Sequence, residues 1–313
     1  AALCGVVGLK PTHGRVSLRG IYPNVPTFDH PGPMARTVTD AAIFFGVLES
    51  ASPDPNDAAT TLCQVPANGD YTPFLNLDGL QGARIGIPRA LYYDSIQVPG
   101  TNRWQSRMNE ESRAVMADAI AILETQGAIV VDPADIPSVI DTDPATSLVT
   151  NGGSSVLNYG MKRDFNAWLA TLGETAPVKT LTELREWNLA HRSMGAIKYE
   201  QARLDGADAI DLEADRAQYE ADLMQDNVLN ATRGIDAAMT EHELDALLFP
   251  SSSGAGIAAK PGYPTVIVPF AFVANDGGPD MPAGFDAKPR PFGVSFTGSA
   301  CSEPRLIELA YAF

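Results

Sequence analysis

Short apolar runs alternate along the chain with stretches whose apolar positions recur every three or four residues. Residues 2–9 (ALCGVVGL) are an unbroken apolar or small run and predict a buried strand. Thr37 to Leu48 predicts a helix, with Thr39 as N-cap and Ala41, Phe44, Phe45 and Leu48 on one face. Arg84 to Ile87 predicts a strand ended by Pro88. Glu111 to Gln126 then predicts a helix with Val115, Met116, Ala119, Ile120 and Leu123 inward, and Gly127 stands where a left-handed C-cap belongs. A further strand is expected over 128–131. This strand–helix–strand order favours a largely parallel or mixed sheet.

The middle of the chain reads as helical. Thr180 and Glu183 fit a capping box that opens a helix through Trp187, and Asp211 to Met239 reads as one charged helical stretch. Short strands return at 246–249, 265–268 and 293–296, each apolar as strands covered on both faces are. Ser302 starts a last helix. Ser52 to Asp78, rich in Pro, Asp, Asn and Thr, is a surface loop, an excursion from one domain rather than a linker between two.

Net charge sharpens this picture by exclusion. At −16 over 313 residues, the chain is a poor partner for nucleic acid or an anionic membrane, because phosphates need a basic surface. No run approaches eighteen apolar residues, so no membrane span is expected. The apolar start has no basic leader and is followed by Lys10 rather than a cleavage site, so it is not read as a signal peptide. Three cysteines at wide spacing, Cys4, Cys63 and Cys301, suggest neither a disulfide framework nor a zinc site; Cys4 and Cys301 read as core residues.

Composition and spacing name no catalytic machinery. Four histidines occur (His13, His30, His191 and His242), but no G-x-S-x-G elbow. The Gly-Ser pieces at 151–155 and 251–256 could place a hydroxyl beside backbone donors, or could simply be a turn or a helix cap. Cys4 has apolar neighbours that would raise its pKa, and no carboxylate pair or His/Cys cluster has metal-ligand spacing.

Longer motifs carry more. CGVVGLKPTHGRVS (4–17) followed by DHPGPMARTVTD (29–40) resembles the second half of the signature of the amidase signature family, serine hydrolases of amide bonds. GIP (86–88), KRDFNAWL (162–169), GYPTVIVP (262–269), GVSFTG (293–298) and SEP (302–304) extend the likeness toward a peptide-amidase-like branch. The resemblance implies an α/β fold with a mixed, largely parallel central sheet covered by helices on both faces, and residues 1–313 as the C-terminal part of a single domain. It implies acyl transfer without metal or organic cofactor. A lysine, a bridging serine and a nucleophilic serine would carry it, all matching positions upstream of residue 1. On that reading the chain is a fragment without a catalytic residue of its own, whose partners are a small-molecule or peptide amide and the missing N-terminal segment.

Within this chain the candidate substrate-binding residues are Asp29, His30 and Tyr263. Asp29 and His30 sit in a turn made rigid by Pro31, Gly32 and Pro33, and Tyr263 stands at the entry to a strand. Each has a plainer alternative: an Asx-type bond for Asp29, a surface position for His30, core packing for Tyr263. One departure from the branch is Gly160 in Asn158-Tyr-Gly160, where relatives often carry Glu; if that Glu shapes the substrate channel, Gly160 changes it. Two competing readings are a tRNA-dependent amidotransferase, of which this would be the amidase-type component, and a non-catalytic scaffold or partner protein.

Overall fold

The computed structural model describes residues 1–49, 52–275, 284–286 and 288–313. They form two compact units. One comprises Ala1–Ser17, His30–Asn151 and Val228–Phe313; the other comprises Leu18–Asp29 and Gly152–Asn227.

The larger unit is built on a mixed sheet. Its strands are β1 (Val7–Lys10), β2 (Met34–Ala35), β3 (Arg84–Gly86), β6 (Ile129–Val131), β7 (Ala246–Pro250), β8 (Thr265–Val273) and β9 (Arg290–Thr297); β4 (Ile96–Gln97) and β5 (Trp104–Gln105) pair apart as a small antiparallel hairpin. Among the described residues the order is β2-β1-β8-β9-β7-β3-β6. Parallel pairing is confined to β3 with β6 and β3 with β7, and the other four pairs are antiparallel, so parallel strands are the minority of a mixed sheet. All of β7 is buried, as its continuous apolar run requires, and Ile85, Leu248, Phe249, Val294 and Phe296 form the centre of the core.

The local differences from expectation have specific causes. Residues 2–9 are not one strand. Ala2–Cys4 is a 3₁₀ turn closed by Gly5 in the left-handed region (φ 63°), and pairing begins only at Val7. β8 and β9 run longer than expected, because β8 carries its ladder past Pro269 through a bulge between Pro269 and Ala271. The helix Val38–Leu48 is capped by Thr37, not Thr39: extended Thr37 accepts the Asp40 N–H at 3.0 Å. Its buried face is Ala41, Ala42 and Phe45, leaving Phe44 46% exposed. The Glu110–Thr125 helix buries Met116, Ala119 and Leu123 as expected, and Gly127 takes a φ of 86° at its exit.

The cysteines also depart from expectation. Cys63 and Cys301, 238 residues apart, form a disulfide that ties the 52–78 loop to the turn before the last helix, Glu303–Ala312; Cys4 is exposed, not core. Spacing along the chain carried no trace of this pairing, because the fold brings the two residues together.

In the smaller unit the helix Val156–Thr171 buries Val156, Tyr159, Phe165 and Leu169. Gly160 faces Val25, and a Cβ there would come within 2.6 Å of the Val25 Cγ1, so any larger residue at 160 would have to displace that side chain. Thr180 caps Leu181–Ala190 by accepting the Glu183 N–H, while the Glu183 carboxylate reaches one residue further back, to the Lys179 N–H at 2.7 Å. The single helix expected over 211–239 is instead Arg216–Asn227, a π-helical Val228–Ile235 broken at Gly234, and Asp236–Glu241.

Candidate functional site

β1 sits between β2 and β8, and the turn Ala1–Cys4 folds back onto it. Gly8 makes this possible: a Cβ there would lie 2.5 Å from the Ala1 Cβ and 3.3 Å from the Ile267 Cγ2. The result is a pocket of about 260 Å³, walled by Leu9, Met34 and Ile267 on its apolar side and by Lys10, His30, Ser252, Thr265 and Ser295 on its polar side. A mostly apolar concavity with a few converging polar groups is the general form of a small-molecule site.

Of the three residues singled out from sequence, the structure puts one in this pocket. His30 lines it, with its ring edge-on to His13 at 5.4 Å between centroids. Gly262 permits that pair. Its φ is 75°, and a Cβ would lie 2.6 Å from the His13 Cβ and 3.3 Å from the His30 Nε2. Asp29 lies in the smaller unit, where its Oδ2 accepts the N–H groups of Asn24 (2.9 Å) and Val25 (3.1 Å); it braces the preceding turn, and these bonds run back along the chain instead of forward as in an Asx turn. The Tyr263 hydroxyl donates to Asp236 at 2.6 Å and its ring packs against the core; burial and that bond push its pKa up.

Lys10 is the pocket residue that sequence reasoning passed over. It closes β1, and burial pulls its pKa from 10.5 down to about 8, with the charge of Glu303 opposing. Behind it lies a buried ionic cluster. Arg15 Nε is 2.9 Å from Glu49 and 3.6 Å from Glu303, Arg15 also donates to the Tyr71 hydroxyl, and that hydroxyl donates to Glu49 at 2.7 Å. Glu303, fully buried, accepts the Thr12 N–H, and the Thr12 Oγ1 in turn accepts the Cys301 N–H at 2.8 Å. One guanidinium thus faces two buried carboxylates at the base of β1, and burial raises the pKa of Glu49. The cluster fixes the segment Lys10–Arg15, and with it one wall of the pocket.

The two Gly-Ser pieces lie at the ends of regular elements. Ser155 precedes the Val156–Thr171 helix with its N–H on Asp222, and Ser251, at φ 49°, turns the chain out of β7 while its carbonyl accepts the Ser295 hydroxyl. Neither hydroxyl is hydrogen-bonded to a histidine among the described residues.

A family model described as Amidase matches residues 1–307. A protein named as a probable amidase in Arabidopsis thaliana is 28% identical over 310 residues, covering 98% of this chain and 52% of its own length. A component of the glutamyl-tRNA(Gln) amidotransferase of Thermosynechococcus vestitus is 26% identical over 331 residues, covering all of this chain and 60% of its own length. Among solved structures, native peptide amidase from Stenotrophomonas maltophilia aligns with a TM-score of 0.78 and 33% identity over all of this chain and 58% of its own. An amidase family protein from Bacillus anthracis gives 0.76 and 28% over all of this chain and 53% of its own. The chain spans about half the length of the curated relatives it matches.

Proposed function

The chain belongs to the amidase family, and from that premise we propose that residues 1–313 form the scaffold and one substrate wall of a serine amidase. The reaction is hydrolysis of a carboxamide, such as a peptide C-terminal amide, to acid and ammonia through an acyl-serine. A neutral lysine takes a proton through a bridging serine, the nucleophilic serine attacks the carbonyl, and water releases the acid. In this reading those three groups come from polypeptide outside residues 1–313. This chain contributes the pocket: Leu9, Met34 and Ile267 exclude water, while Lys10 and His30 supply polar anchors.

The observation that carries the reading is the match to peptide amidase at 33% identity over the whole chain. The amidotransferase reading is supported by 39% identity over 129 residues to a component of the glutamyl-tRNA(Gln) amidotransferase of Carboxydothermus hydrogenoformans; release of ammonia from free glutamine, but not from a peptide amide, would favour it.

A fluorophosphonate probe tests the assignment on the chain itself. Residues 1–313 should take up no label at any serine and hydrolyse no amide. Rapid, stoichiometric labelling of one serine, for instance Ser155 or Ser251, would show that the chain carries its own nucleophile and would overturn the proposal.

A further inference from the structure

A second cavity, of about 830 Å³, opens on the other side of the Ser251–Ser253 turn from the amide pocket, and Ser252 lines both. Two guanidinium-bearing residues contribute to it from separate elements. Arg107 precedes the Glu110–Thr125 helix, and Arg290 opens β9. Arg107 has the Tyr92 ring at 6.0 Å, and neither guanidinium pairs with a carboxylate among the described residues. Among the described residues no Asp or Glu lines the cavity, although the chain carries 38 acidic residues against 22 basic ones. The Ser253 Oγ, also at this wall, is buried and has no hydrogen-bond partner among the described residues. A cavity whose described lining offers two guanidinium groups, a buried hydroxyl and no carboxylate is suited to an anion, and guanidinium matches a carboxylate in a bidentate manner.

We infer that the Arg107–Arg290 cavity binds the carboxylate of an acidic acyl group whose amide occupies the neighbouring pocket, so that the preferred substrates are peptide amides bearing an acidic side chain close to the amide. The continuity between the sites is specific: the Ser295 hydroxyl, in the amide pocket, donates to the Ser251 carbonyl at the wall of the arginine cavity. The substrate assignment rests on the amide-pocket reading above; the anion site itself does not.

The test separates the two. Succinate, titrated calorimetrically into the 1–313 chain, probes the arginine cavity alone. Saturable binding is expected, weakened at least tenfold by Arg107→Gln or Arg290→Gln and abolished in the double variant, with melting temperatures unchanged. Two peptide amides, acetyl-Glu-Leu-amide and acetyl-Gln-Leu-amide, probe both sites together. The acidic one should bind at least tenfold tighter, and the double variant should erase that difference without weakening the neutral one. No succinate binding, or binding indifferent to both arginines, overturns the anion site even if the neutral amide binds. Arginine-dependent succinate binding with neither peptide amide bound overturns the substrate assignment and points to failure of the amide-pocket reading instead.

Discussion

Lys10 shows how much one side chain's surroundings decide. Its ammonium is held where burial opposes the charge, and Glu303 offsets only part of that cost. In the folded chain it loses its proton near pH 8, whereas unfolded it holds it to about 10.5. Between those values the unfolded state binds more protons, so stability rises with pH across that window. Replacing Lys10 by Met removes the effect. The variant's melting-temperature advantage over the parent should therefore shrink from pH 7.5 to pH 10; a difference that stays constant or grows would show that Lys10 keeps its proton. The sequence made His30 visible because it sits in a turn with two prolines and a glycine. Lys10 was not visible: a lysine ending an apolar run reads as the point where a strand meets solvent. Only the return of Ala1–Cys4 over Gly8 and the buried carboxylate of Glu303 make it a pocket residue.

At the scale of elements, periodicity identified the Glu110–Thr125 helix, its inward face and its glycine exit, and the burial of β7. Three things escaped it. The helix starting at Val38 has two threonines that could cap it, and which one does depends on backbone geometry that the pattern does not encode. Pro269 looked like a strand end, yet a bulge absorbs it. The Cys63–Cys301 bond depends wholly on the fold. It closes a loop of 238 residues, and removing such a bond costs about 2–4 kcal/mol in typical cases. Cys63→Ser and Cys301→Ser should each lose about that much in denaturant unfolding, and the double variant no more than either single one. Additive losses, or none, would mean that the two cysteines are not bonded to each other in solution. The bond also anchors the backbone of Cys301, whose N–H holds Thr12. The singles should therefore loosen the Lys10–Arg15 segment, to be seen as faster amide exchange at His13, whose N–H bonds the Gly262 carbonyl.

For the whole molecule, the motifs at 4–17 and 29–40 pointed to the amidase family, and the fold agrees, with TM-scores of 0.76–0.79 to solved relatives at 28–33% identity. Composition could not have led there, since an acidic, moderately apolar chain fits many α/β proteins. The sheet was legible as mixed, but the balance of parallel and antiparallel pairs was not, because β3 pairs with β7 from far along the chain, and pairing direction follows from the connections between them. The proposed amide chemistry rests on the pocket at β1 holding the amide. The most direct measurement is kcat/KM, with melting temperature alongside, for a longer polypeptide in which residues 1–313 are joined to a catalytic segment of this family. His30→Ala should lower kcat/KM at least tenfold, about 1.4 kcal/mol of transition-state stabilisation, with the melting temperature held. Tyr263→Phe, which breaks the bond to Asp236 outside the pocket, should lower the melting temperature more than the activity. If His30→Ala keeps kcat/KM within threefold, about 0.7 kcal/mol, the pocket at β1 does not hold the substrate.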